Sequence, residues 1–380
     1  MTFRPAIDRY RTVAAVLLAL SVWGCSQYVP LVTEDIVREE IDERVPADLR
    51  SRVDLPFELD AATIESVEAI ISPASSESRR TQEVVDYIFS RLGLEYALNP
   101  TRNAVETHRT AKGNCLSFVN LFVGIGRHVR LNPFYVEVED YQRWNYSDGI
   151  VVSRGHIVGG LRIDGELSTF DFLPYRTKGY RDFEPIDDVM AMAHYYNNLG
   201  AEALMRGDLA EAAPNLEIAT SLAPDFEKAV NNLGVAMLRS GDADGAIALY
   251  QRGLELNPSS VPLLTNMARA NQDLGLLDTA TAILDQIEAV NHTNPFFFIY
   301  RGELALAGGD HVQALAYMRK ALAVDTEVPE THVGLLKVFL AMGDYERARH
   351  HLSRALRLDA THDEARNYAA MLQKAPESGP

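Results

Sequence analysis

The sequence predicts an α+β domain followed by an all-α repeat solenoid. Between about residues 79 and 176, helical patterns give way to short runs of β-branched and aromatic residues, which are typical of antiparallel strands. From about residue 193, glycine and alanine recur every 34 residues, and each interval holds two helical patterns. A chain of 380 residues is long enough to bury a core in each part.

Composition excludes several classes of function. The chain is 47% hydrophobic and 23% charged, which is ordinary for a globular protein, and its net charge is −17. That charge argues against binding to nucleic acid and against electrostatic binding to anionic lipid. The sequence has no Cys/His cluster with metal-ligand spacing and no glycine-rich phosphate loop. We therefore expect neither a metal nor a cofactor.

Residues 1–24 have the layout of a secretory signal peptide. Three arginines precede the apolar run Val13–Trp23, which is too short to span a bilayer. The segment ends in Leu20-Ser21-Val22-Trp23-Gly24-Cys25, which resembles a bacterial lipoprotein signal. The resemblance implies acylation of Cys25, palmitate being an expected fatty acid, and Ser26 implies an outer-membrane anchor facing the periplasm. Ordinary cleavage and an uncleaved anchor are the alternatives.

The segments on either side of the α+β domain carry weaker signals. Residues 25–78 are polar, charged and contain several prolines, so we expect a lipidated N-terminus and a tether with a short helix at about Asp60–Ile71. The α+β domain follows at 79–176. Residues 177–192 are expected to be a linker to the repeats.

Cys115 is the first candidate functional residue. Lys112-Gly113-Asn114 predicts a turn, and the apolar run that follows predicts a mostly buried helix that Asn114 caps. The N–H groups at a helix N-terminus stabilise a thiolate, which is the nucleophilic form of cysteine. A buried core cysteine is the alternative. If Cys25 is acylated, Cys115 has no partner for an internal disulfide, which favours a functional thiol in an exported protein.

A predicted hairpin supplies partners for this thiol. The stretches 150–163 and 166–172 have β-strand composition, and Asp164-Gly165 between them predicts a two-residue turn. In the register that this turn sets, His156 and Asp171 are diagonal neighbours on one face of the pair, about 7 Å apart. That distance allows a carboxylate to meet an imidazole.

These residues together resemble the transglutaminase-like superfamily over roughly residues 80–175. The resemblance lies in Gly113-Asn114-Cys115-Leu116-Ser117-Phe118, a histidine at the head of a strand and an aspartate on the next strand. It implies an α+β, papain-like cysteine hydrolase fold with a catalytic triad of Cys115, His156 and Asp171. In the implied mechanism His156 takes the thiol proton, Asp171 orients the imidazole, and Cys115 attacks an amide carbonyl to form an acyl-enzyme.

The fate of that acyl-enzyme stays open at this point, as does activity itself. Water as the acceptor makes a protease or amidase, whereas an amine makes a cross-linking acyltransferase. Bacterial members of the superfamily favour hydrolysis, and we predict an envelope-anchored cysteine hydrolase. The alternative is an inactive member that keeps the fold as a protein-interaction scaffold.

The second half of the sequence divides into five repeats and a terminal segment. The repeats run 193–226, 227–260, 261–294, 295–328 and 329–362, and residues 363–380 are expected to form a capping helix and tail. A glycine lies between the two helices of each repeat, at Gly207, Gly241, Gly275, Gly309 and Gly343. The units resemble the tetratricopeptide repeat (TPR) family, because Gly200 and Gly234 match its eighth position, Tyr250 its aromatic position and Pro224 and Pro258 its closing proline.

Three asparagines at the sixth position of successive repeats are candidate peptide ligands. They are Asn198, Asn232 and Asn266. In some TPR proteins asparagines at this position bind the backbone of an extended peptide along the concave groove, and an amide side chain both donates and accepts. We therefore expect a polypeptide partner or substrate in the groove. The alternative is three tolerated polar residues on an exposed helix face.

Overall fold

A computed structural model describes most of the chain after the expected signal segment. The described residues are 34–72, 74–139, 144–147, 150–153, 156–163, 166–172, 181–290, 295–360 and 362–374. Cys25 and the expected signal peptide lie outside these ranges, so lipidation stays a prediction. Among the described residues, no helix is long and apolar enough to cross a membrane.

The chain forms two compact units. One takes the chain up to Trp144 and from Ser153 to Ser240, and the other takes Asn145–Val152 and everything from Gly241 onward. The repeat pattern begins at residue 193, so the first unit contains the α+β part, apart from Asn145–Val152, and also the first repeat helices.

The N-terminal segment is part of the core of the first unit. Helix α1 (Glu34–Arg44) and helix α2 (Ala61–Glu68) are joined by a short 3-10 helix at Arg50–Arg52. Side chains from this whole segment are buried: Val37, Ile41, Val45, Leu49, Leu55, Phe57, Val67 and Ile71. The expectation of a tether is therefore wrong for residues 34–72, whereas the short helix expected at about Asp60–Ile71 is present as α2. Their apolar residues are spaced widely among charges and prolines, which obscured the buried face.

The next elements lead to a central helix. Helix α3 (Glu77–Asp86) continues as a π-turn, helix α4 spans Ala104–Thr110, and strands β1 (Glu95–Tyr96) and β2 (Lys112–Gly113) pair in parallel. Helix α5 (Cys115–His128) follows directly. Every α5 residue up to Gly126 is buried, as its continuous apolar run predicts.

A four-stranded antiparallel sheet packs against α5. Its strands are β3 (Phe134–Glu139), β6 (His156–Ile163), β7 (Glu166–Phe170) and β8 (Arg181–Ile186), in the order β7-β6-β3-β8. Strands β4 (Trp144–Ser147) and β5 (Ile150–Ser153) pair separately. Strand β8 lies inside the segment expected to be a linker, so that expectation is wrong for 181–186. Pro185 weakens the strand pattern, and β8 tolerates it because it is an edge strand.

The β6–β7 register is the one that the sequence predicts. Ile163 faces Glu166, and the pairing continues in step to Gly159 opposite Phe170. The turn itself, Asp164-Gly165, lies outside the described residues. Because the register is in step, His156 at the start of β6 and Asp171 just after β7 are brought to the same end of the pair.

The first repeat helices share one hydrophobic core with the α+β part. Helices α6 (Asp188–Met205), α7 (Leu209–Leu222) and α8 (Glu227–Ser240) contribute buried residues to the same cluster as α5 and the sheet. Arg127 of α5 also makes a paired ion contact with Asp188 of α6, with N–O distances of 2.8 and 2.7 Å. The boundary of this unit falls after α8, inside the second repeat.

The second unit continues the helical repeat. Its helices are α9 (Ala243–Leu256), α10 (Val261–Asp273), α11 (Leu277–Val290), α12 (Pro295–Ala307), α13 (His311–Val324), α14 (Pro329–Ala341), α15 (Tyr345–Leu358) and the terminal α16 (Asp363–Lys374). The five repeated turn glycines all have φ between 74° and 93°, a region that favours glycine. The aspartates after four of them cap the next helix, at Asp208, Asp242, Asp310 and Asp344.

Candidate functional site

The predicted nucleophile lies at the start of α5. Cys115 is the first helical residue, and the Asn114 side chain caps the helix by accepting from the Ser117 N–H at 3.0 Å. Gly113 is required here because a Cβ would lie 2.5 Å from Cβ of Ser117. The N–H groups of the first turn have no acceptor within a helix, so they favour negative charge on the adjacent sulfur.

The structure brings the three predicted triad residues together. His156 heads β6 and lies beside the Cys115 thiol, and His156 Nε2 lies 3.4 Å from Asp171 Oδ1. The backbone N–H of Ile157 also donates to the Cys115 sulfur. The sulfur is therefore contacted by an imidazole and a backbone donor at the positive end of a helix.

The site is largely shielded from solvent. Cys115 is 8% exposed and His156 is 6% exposed, whereas the Asp171 side chain is 29% exposed. Low solvent exposure strengthens the attraction between opposite charges and raises the cost of an unpaired one. Asp171 is thus the member of the cluster that water reaches most easily.

The charges in the site favour a thiolate beside an imidazolium. Burial alone raises the pKa of the Cys115 thiol, but the charge of His156 and hydrogen bonds from His156 and Ile157 lower it below its ordinary value. Burial likewise lowers the pKa of His156, but the Cys115 and Asp171 anions raise it to about 10. The lowered pKa of Cys115 and the raised pKa of His156 both favour the thiolate–imidazolium pair over the neutral thiol and imidazole. The chemistry that such a pair supports is nucleophilic attack by sulfur with proton donation from imidazole.

The sequence did not reveal two contributors to this site. The Ile157 N–H is a backbone group that any residue except proline supplies, so it leaves no sequence signal. A buried hydrogen-bond chain behind the Asn114 cap depends on a residue of α6, which is far away in sequence. Within the ranges that the structure describes, no group of three or more His, Cys, Asp or Glu residues suits a metal ion.

The three repeat asparagines are buried. Asn198 is 5% exposed, and Asn232 and Asn266 are fully buried. The alternative of an exposed helix face is therefore wrong. Asn232 Nδ2 donates to Asn197 Oδ1 at 2.8 Å, whereas Asn198 Oδ1 has no hydrogen-bond partner among the described residues. Peptide binding by these asparagines stays a prediction.

Comparison with protein families identifies the helical half. Two tetratricopeptide repeat models match, one at residues 197–261 and the other at 237–295 and 305–375. The chain belongs to the tetratricopeptide repeat proteins. Repeats of this kind stack helix pairs into extended binding surfaces and serve as protein-interaction scaffolds.

The similarity to individual TPR proteins is partial. The chain is 32% identical to photosystem I assembly protein Ycf3 of Prochlorococcus marinus (strain MIT 9303) over 112 residues, which is 27% of this chain and 65% of that protein. It is 30% identical to the Ycf3 of Synechococcus sp. (strain WH7803) over 116 residues, 28% of this chain and 67% of that one. It is 35% identical to the Hsp70-Hsp90 organizing protein of Triticum aestivum over 77 residues, 20% of this chain and 13% of that one.

Among solved structures, TTC0263, a thermophilic TPR protein of Thermus thermophilus, is similar to part of the chain. The match covers 48% of this chain and 99% of that one at 22% identity, with a TM-score of 0.45.

Proposed function

We propose that this TPR protein is a cysteine hydrolase of the transglutaminase-like type, which cleaves amide bonds through a thiol acyl-enzyme. The observation that carries the proposal is the contact of Cys115, at the N-terminus of a buried helix, with His156, which in turn lies 3.4 Å from Asp171. The order Cys, His, Asp along the chain, which resembles that superfamily, supports it further.

The proposed reaction uses the ion pair directly. The Cys115 thiolate attacks an amide carbonyl, and the N–H of Cys115 itself donates to the oxyanion that forms. His156 then gives its proton to the departing amine, which leaves a thioester on Cys115. The neutral imidazole takes a proton from water, the resulting hydroxide attacks the thioester, and the acid product leaves as the thiolate reforms. Asp171 stabilises the imidazolium before the thiolate attacks and again when the imidazole takes a proton from water.

The TPR repeats supply the proposed binding function. A polypeptide partner or substrate binds to the repeats, in which Asn198 Oδ1 is a buried amide oxygen with no hydrogen-bond partner among the described residues. The names of the relatives, an assembly protein and an organizing protein, fit this role because each name refers to action on other proteins. The lipoprotein motif ending at Cys25 supports a lipid anchor in the cell envelope, facing the periplasm, as part of the same proposal.

A second candidate function is a non-catalytic scaffold. The low exposure of Cys115 favours it, because a nucleophile has to meet its substrate. In this case the α+β fold is a binding surface beside the repeats, and the thiol is a core residue.

A labelling experiment separates the two functions. We expect a thiol-reactive amide mimic to label Cys115 in the wild-type chain at neutral pH and to fail in His156→Ala, which lacks the imidazole that stabilises the thiolate. Labelling is measured by mass spectrometry on the peptide that contains Cys115.

His128→Ala is the matched control. His128 lies at the other end of α5 and contacts Glu68 at 3.0 Å, so its removal changes a histidine of the same unit without touching the site. Equal labelling of all three proteins rules out a role for His156. No labelling of the wild type favours the scaffold.

A further inference from the structure

The cap of the α5 helix is held by a buried hydrogen-bond chain that ends in the first repeat. Asn114 Oδ1 accepts from the Ser117 N–H, and its Nδ2 donates to Thr101 Oγ1 at 2.6 Å. Thr101 in turn donates its hydroxyl proton to Glu202 Oε1 at 2.7 Å, and its N–H donates to the same carboxylate at 2.9 and 3.1 Å. Exposure is 2–4% for Asn114, Thr101 and Glu202.

The directions of these hydrogen bonds follow from groups that can only donate or only accept. A backbone N–H only donates, so the carboxylate of Glu202 accepts from Thr101. The single hydroxyl proton of Thr101 also points at Glu202, which leaves the lone pairs of Oγ1 for the amide N–H of Asn114. The Asn114 oxygen faces the helix because the Ser117 N–H donates to it, and Nδ2 faces away, toward Thr101 and the Leu98 carbonyl at 3.4 Å.

We propose that Glu202 is a positioning residue for Cys115. Through Thr101 it holds the Asn114 amide in place, and through that cap it fixes the first turn of the helix that carries the thiol. Glu202 belongs to α6, the first repeat helix, so the repeat itself supports the active site. The consequence for catalysis rests on the proposed function, whereas the consequence for the helix cap does not.

The alternative role for Glu202 is a simple charge effect, and it has the opposite sign. Removing a nearby anion favours a thiolate, so Cys115 would then react faster at neutral pH. Loss of positioning has the reverse effect. Without Glu202 the N–H and the hydroxyl of Thr101 lose their acceptor, Thr101 no longer holds the Asn114 amide in place, and the first turn loosens around the thiol.

The test compares Glu202→Ala with Glu202→Gln in the full chain. The rate at which iodoacetamide alkylates Cys115 at pH 7 is followed on the peptide containing that residue. We expect Glu202→Ala to lower the rate by about fivefold, the factor that corresponds to a lost N-cap of typical strength. Glu202→Gln should restore the rate, because its amide oxygen still accepts from Thr101. A rate in Glu202→Gln above that of the wild type points to the charge, and a rate as low as that of Glu202→Ala shows that an accepting oxygen does not restore the position; either result overturns the proposal.

Two further variants sharpen the result. Thr101→Val removes the hydroxyl, and combining it with Glu202→Ala should add no further loss, because both act through one chain. Asp188→Asn changes another buried carboxylate of α6, one that contacts Arg127 near the opposite end of α5. Its rate should equal that of the wild type. A rate in Glu202→Ala equal to or above the wild type contradicts positioning.

Hydrogen exchange separates a failure of this proposal from a failure of the proposed function. Backbone exchange across residues 114–118 should rise in Glu202→Ala and stay at the wild-type level in Glu202→Gln and Asp188→Asn. Unchanged exchange in Glu202→Ala overturns the proposal whatever the thiol does. Raised exchange together with an unreactive wild-type thiol leaves the positioning role intact and refutes the hydrolase.

Discussion

At the scale of single residues, the site depends on mutual stabilisation of two charges. Neither a thiolate nor an imidazolium is stable alone at the low exposure of Cys115 and His156, because a buried unpaired charge is costly. Together they offset that cost, and the Ile157 N–H and the helix N-terminus add to the stabilisation of the sulfur. The Asp171 carboxylate raises the pKa of His156, which favours the imidazolium. Its negative charge also raises the pKa of the Cys115 thiol, which disfavours the thiolate.

This arrangement predicts an unusual pH dependence for alkylation of Cys115. The lowered thiol pKa means that the thiolate persists below the range of an ordinary cysteine, and the raised His156 pKa means that the imidazolium persists until about pH 10. Between the two pKa values the rate with iodoacetamide should be nearly flat. An ordinary thiol instead gains about tenfold per pH unit below its pKa of about 8.5.

Asp171→Asn tests the second half of this pH prediction. Losing the carboxylate lowers the pKa of His156, so the upper edge of the flat region should move to lower pH. The measurement is the alkylation rate from about pH 6 to 10.5, a range that covers the ordinary and shifted values. A rate that rises tenfold per unit through neutral pH in the wild type means that no ion pair forms.

The residues of this site differ in how far the sequence could reveal them. Cys115 follows a recognisable cap, and His156 and Asp171 follow from a hairpin register that a two-residue turn sets. Thr101 and Glu202 are 101 positions apart, and only the packing of α6 brings them together. Local patterns cannot report such a contact.

At the scale of elements, the sequence predicts a helix or strand correctly where a local rule applies. Helix α5, the β6–β7 register and the repeat turns all follow from caps, periodicity and turn glycines. Strand β8 and helix α1 are stabilised by burial against distant parts of the chain, so their short, polar sequences carry no comparable signal.

The close packing of helix pairs in the repeats gives a prediction at this scale. A Cβ at Gly200 of α6 would lie 2.5 Å from Cγ of Leu216 and 3.2 Å from the carbonyl of Ala212 in α7. A branched side chain and a backbone group cannot move easily, so Gly200→Ala should destabilise the first unit by about 1–3 kcal/mol.

Gly302→Ala in α12 is the matched control for Gly200→Ala. There the added Cβ would meet Met318 at 2.8 Å, and methionine is flexible enough to give way. We expect a smaller loss, measured for both variants by urea denaturation with the unfolding transitions of the two units resolved. A larger loss for Gly302→Ala than for Gly200→Ala contradicts this account of the packing.

At the scale of the whole molecule, the α+β part and the first repeat share one hydrophobic core. Arg127–Asp188, the Glu202–Thr101 contact and a shared core connect α6 to the α+β part. The sequence placed a domain boundary at residue 193, inside α6, because the repeat pattern begins there. Periodicity reports the local architecture of a helix pair, and it carries no information on which neighbour that pair packs against.

Truncation tests this unit. A chain that ends at Ser240 keeps α6, α7 and α8, and we expect it to unfold in one cooperative transition and to keep the wild-type alkylation rate of Cys115.

A chain that ends at Asp187 loses large buried side chains from the core, among them Val189, Met192, Tyr196, Ile218 and Leu222. Each contributes roughly 1.5–3 kcal/mol. Their sum is comparable to the entire net stability of a domain, about 5–15 kcal/mol, so the shorter chain should not fold. Circular dichroism during thermal unfolding measures both. A folded chain ending at Asp187, with Cys115 reacting as in the wild type, would show instead that the repeats are an independent addition and that Glu202 is dispensable to the thiol.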